Sequence, residues 1–392
     1  MKKFRFGLLP RIFTAIALGL ILGNFLPLGA IRVFATFNGI FGNFLQFLIP
    51  LIIIGLVTPA IADIGRGAGV LLAITALIAY CDTVFSGFLS YFTGISVFPS
   101  LIEKSSAVTE IAGFENVEPF FTISIPPMVD VMASLVFAFT LGLGIAFFGS
   151  ENLKNMADEF KEIVVKTIEV VIIPLLPVYI FGIFLCMAYT GQALQVVKMF
   201  IAIIGVIFAL HILLLLLQFC IAGAVTGRNP LKLLANMLPA YFTALGTSSS
   251  AATIPVTLNS TLKNGVKEEI AGFTVPLCAT IHLSGSMLKI TACAVALMLM
   301  RGMEFNTGMF VGFILLLAIM MVAAPGVPGG AIMAALGVLS SVLGFGEQEQ
   351  ALMIALYITM DSFGTACNVT GDGAIALVVD KLFRKKFDYE KK

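Results

Sequence analysis

Tryptophan is absent from this chain of 392 residues, histidine occurs only twice, and Asp, Glu, Lys and Arg together make up 11%. A soluble domain carries about a quarter charged residues, so this scarcity excludes an ordinary soluble enzyme. The 59% apolar content excludes a disordered chain, which needs low hydrophobicity and high charge. Neither sign of charge prevails: 23 Lys and Arg against 22 Asp and Glu leave +1, so there is no net basic field to attract nucleic acid. The six cysteines, Cys81, Cys186, Cys220, Cys278, Cys293 and Cys367, all sit inside apolar stretches. CxxC, HExxH and paired Cys/His spacings are missing, which argues against a disulfide framework or a zinc site.

What the chain does have is long apolar runs, with a mean hydropathy of +1.06. A membrane-crossing helix needs about 20 apolar residues, and continuous runs of this kind exclude the short alternating segments of a β-barrel. Spans are expected near 7–30, 38–62, 68–95, 126–149, 164–189 and 195–225. The opening stretch reads as a first span and not as a signal peptide, since no small-residue cleavage site follows before Arg32. Residues 96–125 read as an external loop carrying Glu103, Glu110, Glu115 and Glu118, and 150–163 as a charged internal connector. With the N-terminus in the cytoplasm, eighteen basic residues fall inside; Arg32, Lys104, Lys198 and Arg301 fall outside, and Lys289 lies within a span. This asymmetry follows the positive-inside rule only if 231–262 and 308–345 each enter and leave by one face. Eight crossings plus two re-entrant hairpins result, with both termini cytoplasmic and the tail LFRKKFDYEKK near anionic lipid.

Polar, helix-breaking sequence at membrane depth is tolerated where it is buried in protein or lines a cavity. Four such places occur. Gly246–Pro255 (GTSSSAATIP) and Ala324–Gly330 (APGVPGG) suit hairpin tips, and Pro276–Ser286 (PLCATIHLSGS) interrupts the span 268–300. In the last span, Asp361, Thr365, Asn368 and Asp372 fall within an arc of about 60° on one helix face. Intramembrane acids are costly and mark function. A hairpin followed by an interrupted or polar span occurs twice, the pattern of a transporter site between inverted repeats.

Through these residues the chain resembles the dicarboxylate/amino-acid:cation symporters, the glutamate-transporter homologues. TSSSAATIPV, PLCATIHLSGS, GVPGGA and DSFGTACNVTGD occur in the family's order, and DSxxTAxN with the short GVPGGA tip is closer to the bacterial serine/threonine symporters. The resemblance implies an all-α polytopic homotrimer with an elevator fold in the inner membrane. Residues 1–67 and 126–194 would form the scaffold. Residues 68–95 and 195–380 would form the transport domain, with 96–125 an external loop and 381–392 a cytoplasmic tail. It further implies that Asp361 binds a substrate ammonium, that Asn368 and the Ser249–Ser250 tip hold its carboxylate, and that Thr365 and Ser286 line the pocket. Sodium would be held by Asp372 with the carbonyls of Cys278, His282 and Asn368, and a second ion by the Thr280 carbonyl with the second tip. Oxygen-only ligation independently suits a hard cation.

The departures carry information. Acidic-substrate members use an arginine where this chain has Gly364, and some have one where it has Ser248. An anionic side chain would lack a guanidinium partner, so a small neutral amino acid (serine, threonine or alanine) is the expected substrate; an acidic amino acid or dicarboxylate, with Lys289 as its cation, is the alternative. Ser284 and His282 stand where the family has aspartate and asparagine. Span 3 carries Asp82 beside Tyr80 and Thr83, so Lys289 or a protonated His282 is expected to neutralise Asp82 in place of an ion. Competing with this are snorkelling of Lys289 to the interface and a core imidazole for His282. His211 reads as structural, and Asp130 as a cap or a water-facing group. Sodium is the expected coupling ion, with protons the other choice and no organic cofactor. A passive channel needs no ammonium-binding Asp361. An intramembrane enzyme is disfavoured, because Asp361 and Asp372 lie about 16 Å apart along one helix.

Overall fold

The computed structural model describes residues 8–65, 70–103, 117–191 and 193–389, and among the described residues it is all-helical. The helices are α1 (Leu8–Leu22), α2 (Leu28–Gly65), α3 (Val70–Glu103), α4 (Val131–Phe148), α5 (Glu151–Thr167), α6 (Ile173–Tyr189), α7 (Ala193–Thr226), α8 (Pro230–Thr247), α9 (Ser250–Lys263), α10 (Glu268–Ile281), α11 (Ser284–Met300), α12 (Thr307–Ala323), α13 (Gly330–Leu343), α14 (Glu347–Thr359) and α15 (Asp361–Tyr389). Six stretches among the described residues are long and apolar enough to cross a bilayer. The pair α14–α15, bent by 63°, makes a seventh, while α1, α12 and α13 are shorter apolar helices.

Several boundaries differ from expectation. The first break falls at 23–27 and α2 begins at Leu28, not near 38. Asn24 Nδ2 donates to Leu20 O at 2.7 Å, and Pro27, which has no N–H to lose, opens the next helix through Ala30 N→Pro27 O. Helix α3 runs past 95 to Glu103. The connector 150–163 is helical: Ser150 caps α5, which buries Ala157 and Val164, and a π-helical turn (Ile168–Ile172) joins it to α6. Asp130 is the N-cap of α4, accepting from Met132 N at 2.8 Å. The last span is itself broken before Asp361, and beyond residue 380 it continues as helix to Tyr389 instead of becoming a separate tail. Lys2, Lys3, Arg5, Arg66, Lys104, Glu110, Glu115, Lys391 and Lys392 lie outside the described residues.

The ends of the elements sort into two groups. At one end Arg228 donates to the Asn264 carbonyl, Asn264 Nδ2 donates to Leu233 O at 2.9 Å, and Lys267 N donates to Asp380 Oδ1 at 3.1 Å. The base of the α8–α9 hairpin, the start of α10 and the far end of α15 therefore meet there. At the other end Arg301 pairs with Glu349 at 2.9 Å, beside the base of the α12–α13 hairpin. Helix pair α10–α11 connects the two ends, so the hairpins open at opposite faces and their tips meet between them.

Packing also sorts the helices. Helix α1 packs on α6, and α2 on α4, α5 and α6. Helix α15 packs on α7, α8, α9, α10 and α11, while α3 packs on α11 and α12. Helix α11 is buried almost throughout, as are α13 and the first half of α15. Large apolar side chains on α1, α4 and α7, among them Phe13, Val136, Phe137 and Ile212, remain exposed, as lipid-facing positions require.

Candidate functional site

Four chain breaks converge. In the first hairpin Ser248 adopts a left-handed φ of 51° that ends α8, and Ser249 starts α9 by accepting from Ala252 N. In the second, α12 ends at Ala323, and Gly329 (φ 76°) precedes α13. Span 7 breaks at His282–Leu283, and span 8 at Met360. Between them lies a cavity of ≈ 410 Å³ including its open mouth, lined in part by Ser248, Ser250, Ser286, Asp361, Thr365 and Asn368. Of the expected tip pair, Ser250 lines the cavity; Ser249 does not, because its hydroxyl is engaged as the cap of α9. Its place is taken by Ser248, whose Oγ lies 2.6 Å from Ser362 Oγ.

Asn368 braces the break in span 7. Its Oδ1 accepts from Gly285 N (2.8 Å) and Ser286 N (3.3 Å), and its Nδ2 donates to Ser286 Oγ at 3.3 Å. Tyr357 of α14 meets the same Ser286 hydroxyl at 3.0 Å, and His211 donates from Nε2 to Gly285 O at 3.0 Å. Thr365 Oγ1 donates to Asp361 O, Thr280 Oγ1 donates to Leu277 O while its side lines the cavity, and the Cys278 carbonyl accepts the His282 amide at 2.9 Å.

Two buried charge clusters stand behind this lining. In the first, His282, itself 0% exposed, bridges two carboxylates: Nε2 lies 2.7 Å from Asp82 Oδ2 and Nδ1 2.9 Å from Asp372 Oδ1. Gln218 joins by donating from Nε2 to Asp82 Oδ2 (2.6 Å) and to Ser284 Oγ (3.1 Å). Two hydrogen bonds between one imidazole and two carboxyls require two protons among the three groups. Whichever atoms carry them, the cluster holds one net negative charge. Asp372 Oδ2 has no partner among the described residues. Thr83 lies outside this network, since its hydroxyl donates back to Ala79 O.

The second cluster corrects an expectation. Lys289 does not face Asp82, nor does it snorkel. It is fully buried, with Nζ 3.2 Å from Asp361 Oδ1, 3.4 Å from Met360 O and 3.5 Å from the centroid of the Tyr357 ring. The other Asp361 oxygen accepts from Gly329 N at 3.0 Å. Long side chains on a helix lean toward its N-terminus, so Lys289 reaches back over the span 7 break to the bend of span 8. His282 is thus the group that meets Asp82, and Lys289 the group that meets Asp361.

Gln218, Tyr357 and Ser362 are the site residues that sequence reasoning passed over. Gln218 did leave a signal, as the polar interruption of the run ILLLLLQFC; Tyr357 left none. A larger cleft of ≈ 1210 Å³ opens near Asn38, Tyr179 and Glu347, away from both buried clusters.

A family profile described as "Sodium:dicarboxylate symporter family" matches residues 8–382. Excitatory amino acid transporter 4 of Mus musculus is 26% identical over 310 residues, covering 75% of this chain and 53% of that protein. Excitatory amino acid transporter 2 of Homo sapiens is 32% identical over 187 residues, covering 47% and 32%. Excitatory amino acid transporter 1 of Homo sapiens is 33% identical over 183 residues, covering 46% and 33%. The chain thus spans about a third to a half of the length of these relatives.

Proposed function

The chain belongs to the sodium:dicarboxylate symporter family, and from that premise we propose that it is a cation-coupled secondary symporter of a small carboxylate-bearing solute. The solute binds in the cavity between the two hairpin tips. The observation that carries cation coupling is the charge count. Asp82, Asp361 and Asp372 supply three acids, while Lys289 and the shared proton on the His282 bridge offset two. One negative charge is left within a membrane protein, where an unpaired charge costs several kcal/mol. A cation that binds beside the free Asp372 oxygen and travels with the solute removes that cost. Sodium is the ion in the family's description. The imidazole bridge favours protons as a second coupling ion, because it already distributes one between two acids.

In the cavity Ser248 and Ser250 offer hydroxyls that suit a carboxylate. Gly364 and Ser248 leave no guanidinium for a second acid, which favours a small uncharged remainder on the solute, the property the neutral amino-acid expectation rests on. We assign α1, α2, α4, α5 and α6 to a static scaffold and the helices around the cavity to a moving transport body. The molecule would be a homotrimer in the cytoplasmic membrane with both termini inside. The grouping of Arg228, Lys267 and Arg384 at one end and of Arg301 at the other supports that orientation.

The test is uptake by purified protein in proteoliposomes, with sodium and proton gradients imposed separately. Uphill accumulation driven by at least one gradient is expected. Solute flux indifferent to both, running only downhill, rejects symport in favour of a passive pore.

A further inference from the structure

We propose that Lys289 determines which solutes the cavity accepts: by holding Asp361 it supplies, from within the protein, the ammonium that an amino acid would otherwise bring. The cavity then takes carboxylates whose α-carbon carries a hydroxyl, a keto group or hydrogen. This rests on the reading above that the cavity is the transport site.

The geometry is specific. Asp361 is the acid that lines the cavity, and an ionised carboxylate is an acceptor only. Both of its oxygens are engaged, one by Lys289 Nζ and the other by Gly329 N, and Asp361 also opens α15, whose first turn favours negative charge. A carboxylate offers about four acceptor sites, so a solute ammonium could still reach Asp361, but it would share that one negative charge with Lys289 and leave a buried positive charge unbalanced. Lys289 has nowhere to go, since it is 0% exposed and its other contacts are one carbonyl and the face of Tyr357. The space it fills is made for it: a Cβ on Gly364 would lie 2.7 Å from Nζ and 2.9 Å from Cε. The missing side chain at Gly364 and the lysine across from it are therefore one feature. Because Nζ is sealed from the cavity, Lys289 touches no solute. It acts through Asp361, cancelling the charge that would select for an ammonium and leaving the Ser248 and Ser250 hydroxyls of the first tip to select for a carboxylate.

The experiment measures binding to purified full-length protein in sodium chloride, using pairs that differ only at the α-carbon: L-lactate and pyruvate against L-alanine, glycerate against L-serine, L-malate against L-aspartate. In the unmodified protein the hydroxy and keto acids are expected to bind at least tenfold tighter than the matching amino acids. Lys289→Met frees Asp361 and is expected to shift that ratio at least tenfold toward the amino acids. Adding Asp361→Asn to Lys289→Met restores the buried charge balance, and is expected to keep carboxylate binding while abolishing the gained amino-acid binding. The double variant also serves if the single one does not fold. Alanine and serine binding as tightly as lactate and glycerate to the unmodified protein overturns the proposal, as does a ratio that Lys289→Met leaves unmoved. If no member of any pair binds or is taken up, the transport-site reading itself fails, a result distinct from the other two.

Discussion

His282 sits between two acids that would repel each other without it. Asp82 and Asp372 approach the same ring from opposite sides, one on α3 and the other on α15. Removing one partner of a buried charge pair costs about 3–5 kcal/mol, because the remaining charge is left uncompensated. His282→Gln keeps polarity and approximate size but cannot carry a positive charge, so it is expected to lower stability by about that amount. Asp82→Asn in the His282→Gln background removes one of the two facing acids and is expected to recover a substantial part of the loss. Unfolding midpoints in detergent for the two single variants and the double variant complete the cycle. Strict additivity would mean that the bridge does not couple these residues. His211 behaves differently: its single donor bond to Gly285 O supports the helix break and balances no carboxylate, in keeping with a structural reading.

The first hairpin tip depends on one residue in an unusual conformation. Ser248 is the non-glycine residue with a positive φ among the described residues, and its hydroxyl ties the tip to Ser362 on α15. Ser248→Gly relieves the backbone but loses the tie; Ser248→Ala loses the tie and keeps the strained φ. Both are expected to speed amide exchange over residues 248–252, with Ser248→Ala the less stable of the two by about 1–2 kcal/mol. Exchange unchanged in both would mean that the Ser248–Ser362 contact does not hold the tip shut. These tips, and the break in span 7, were legible in the sequence because proline, glycine and serine act on the backbone within a few residues of themselves. The bend before Asp361 was not legible. Met360 lies between Thr359 and Asp361 with neither glycine nor proline beside it, and the turn is imposed by what α14 and α15 pack against. The charged connector 150–163 forms helix α5, a detail that composition alone does not give, because charges on a solvated helix face and charges in a loop look the same.

The two groups of helices share an interface that includes α13 against α2, where Gly337 lets Ile49 and Ile53 approach its Cα. If the group around the cavity slides as a body past the scaffold, locking this interface stops transport but not binding. Cysteines at Gly337 and Ile53, joined by a short thiol cross-linker in a background with the exposed Cys81 and Cys220 replaced, are expected to abolish uptake while leaving solute affinity within a few-fold. Full uptake by the cross-linked protein would show that the solute crosses without this movement. Which of the two ends each basic residue reaches, by contrast, follows from chain order. Once both hairpins return to their own face, the alternation of spans decides where each basic residue emerges.

Composition, hydropathy and the placement of Ser, Gly and Pro determined by themselves that this is a helical membrane protein with two folded-back hairpins, an interrupted seventh span and a polar face on the eighth. Those properties are local, set by a residue's own side chain and its near neighbours. The partners of the buried charges were decided only by tertiary structure. Lys289 and Asp361 are separated by 72 positions, His282 and Asp372 by 90, and His282 and Asp82 by 200. One-dimensional order offers each cation several acids, and the sequence reading offered Asp82 either His282 or Lys289. The packing of α11 against α14 and α15 leaves it a single acid within reach, because a charge in an apolar interior settles on the nearest opposite charge that the helix geometry allows.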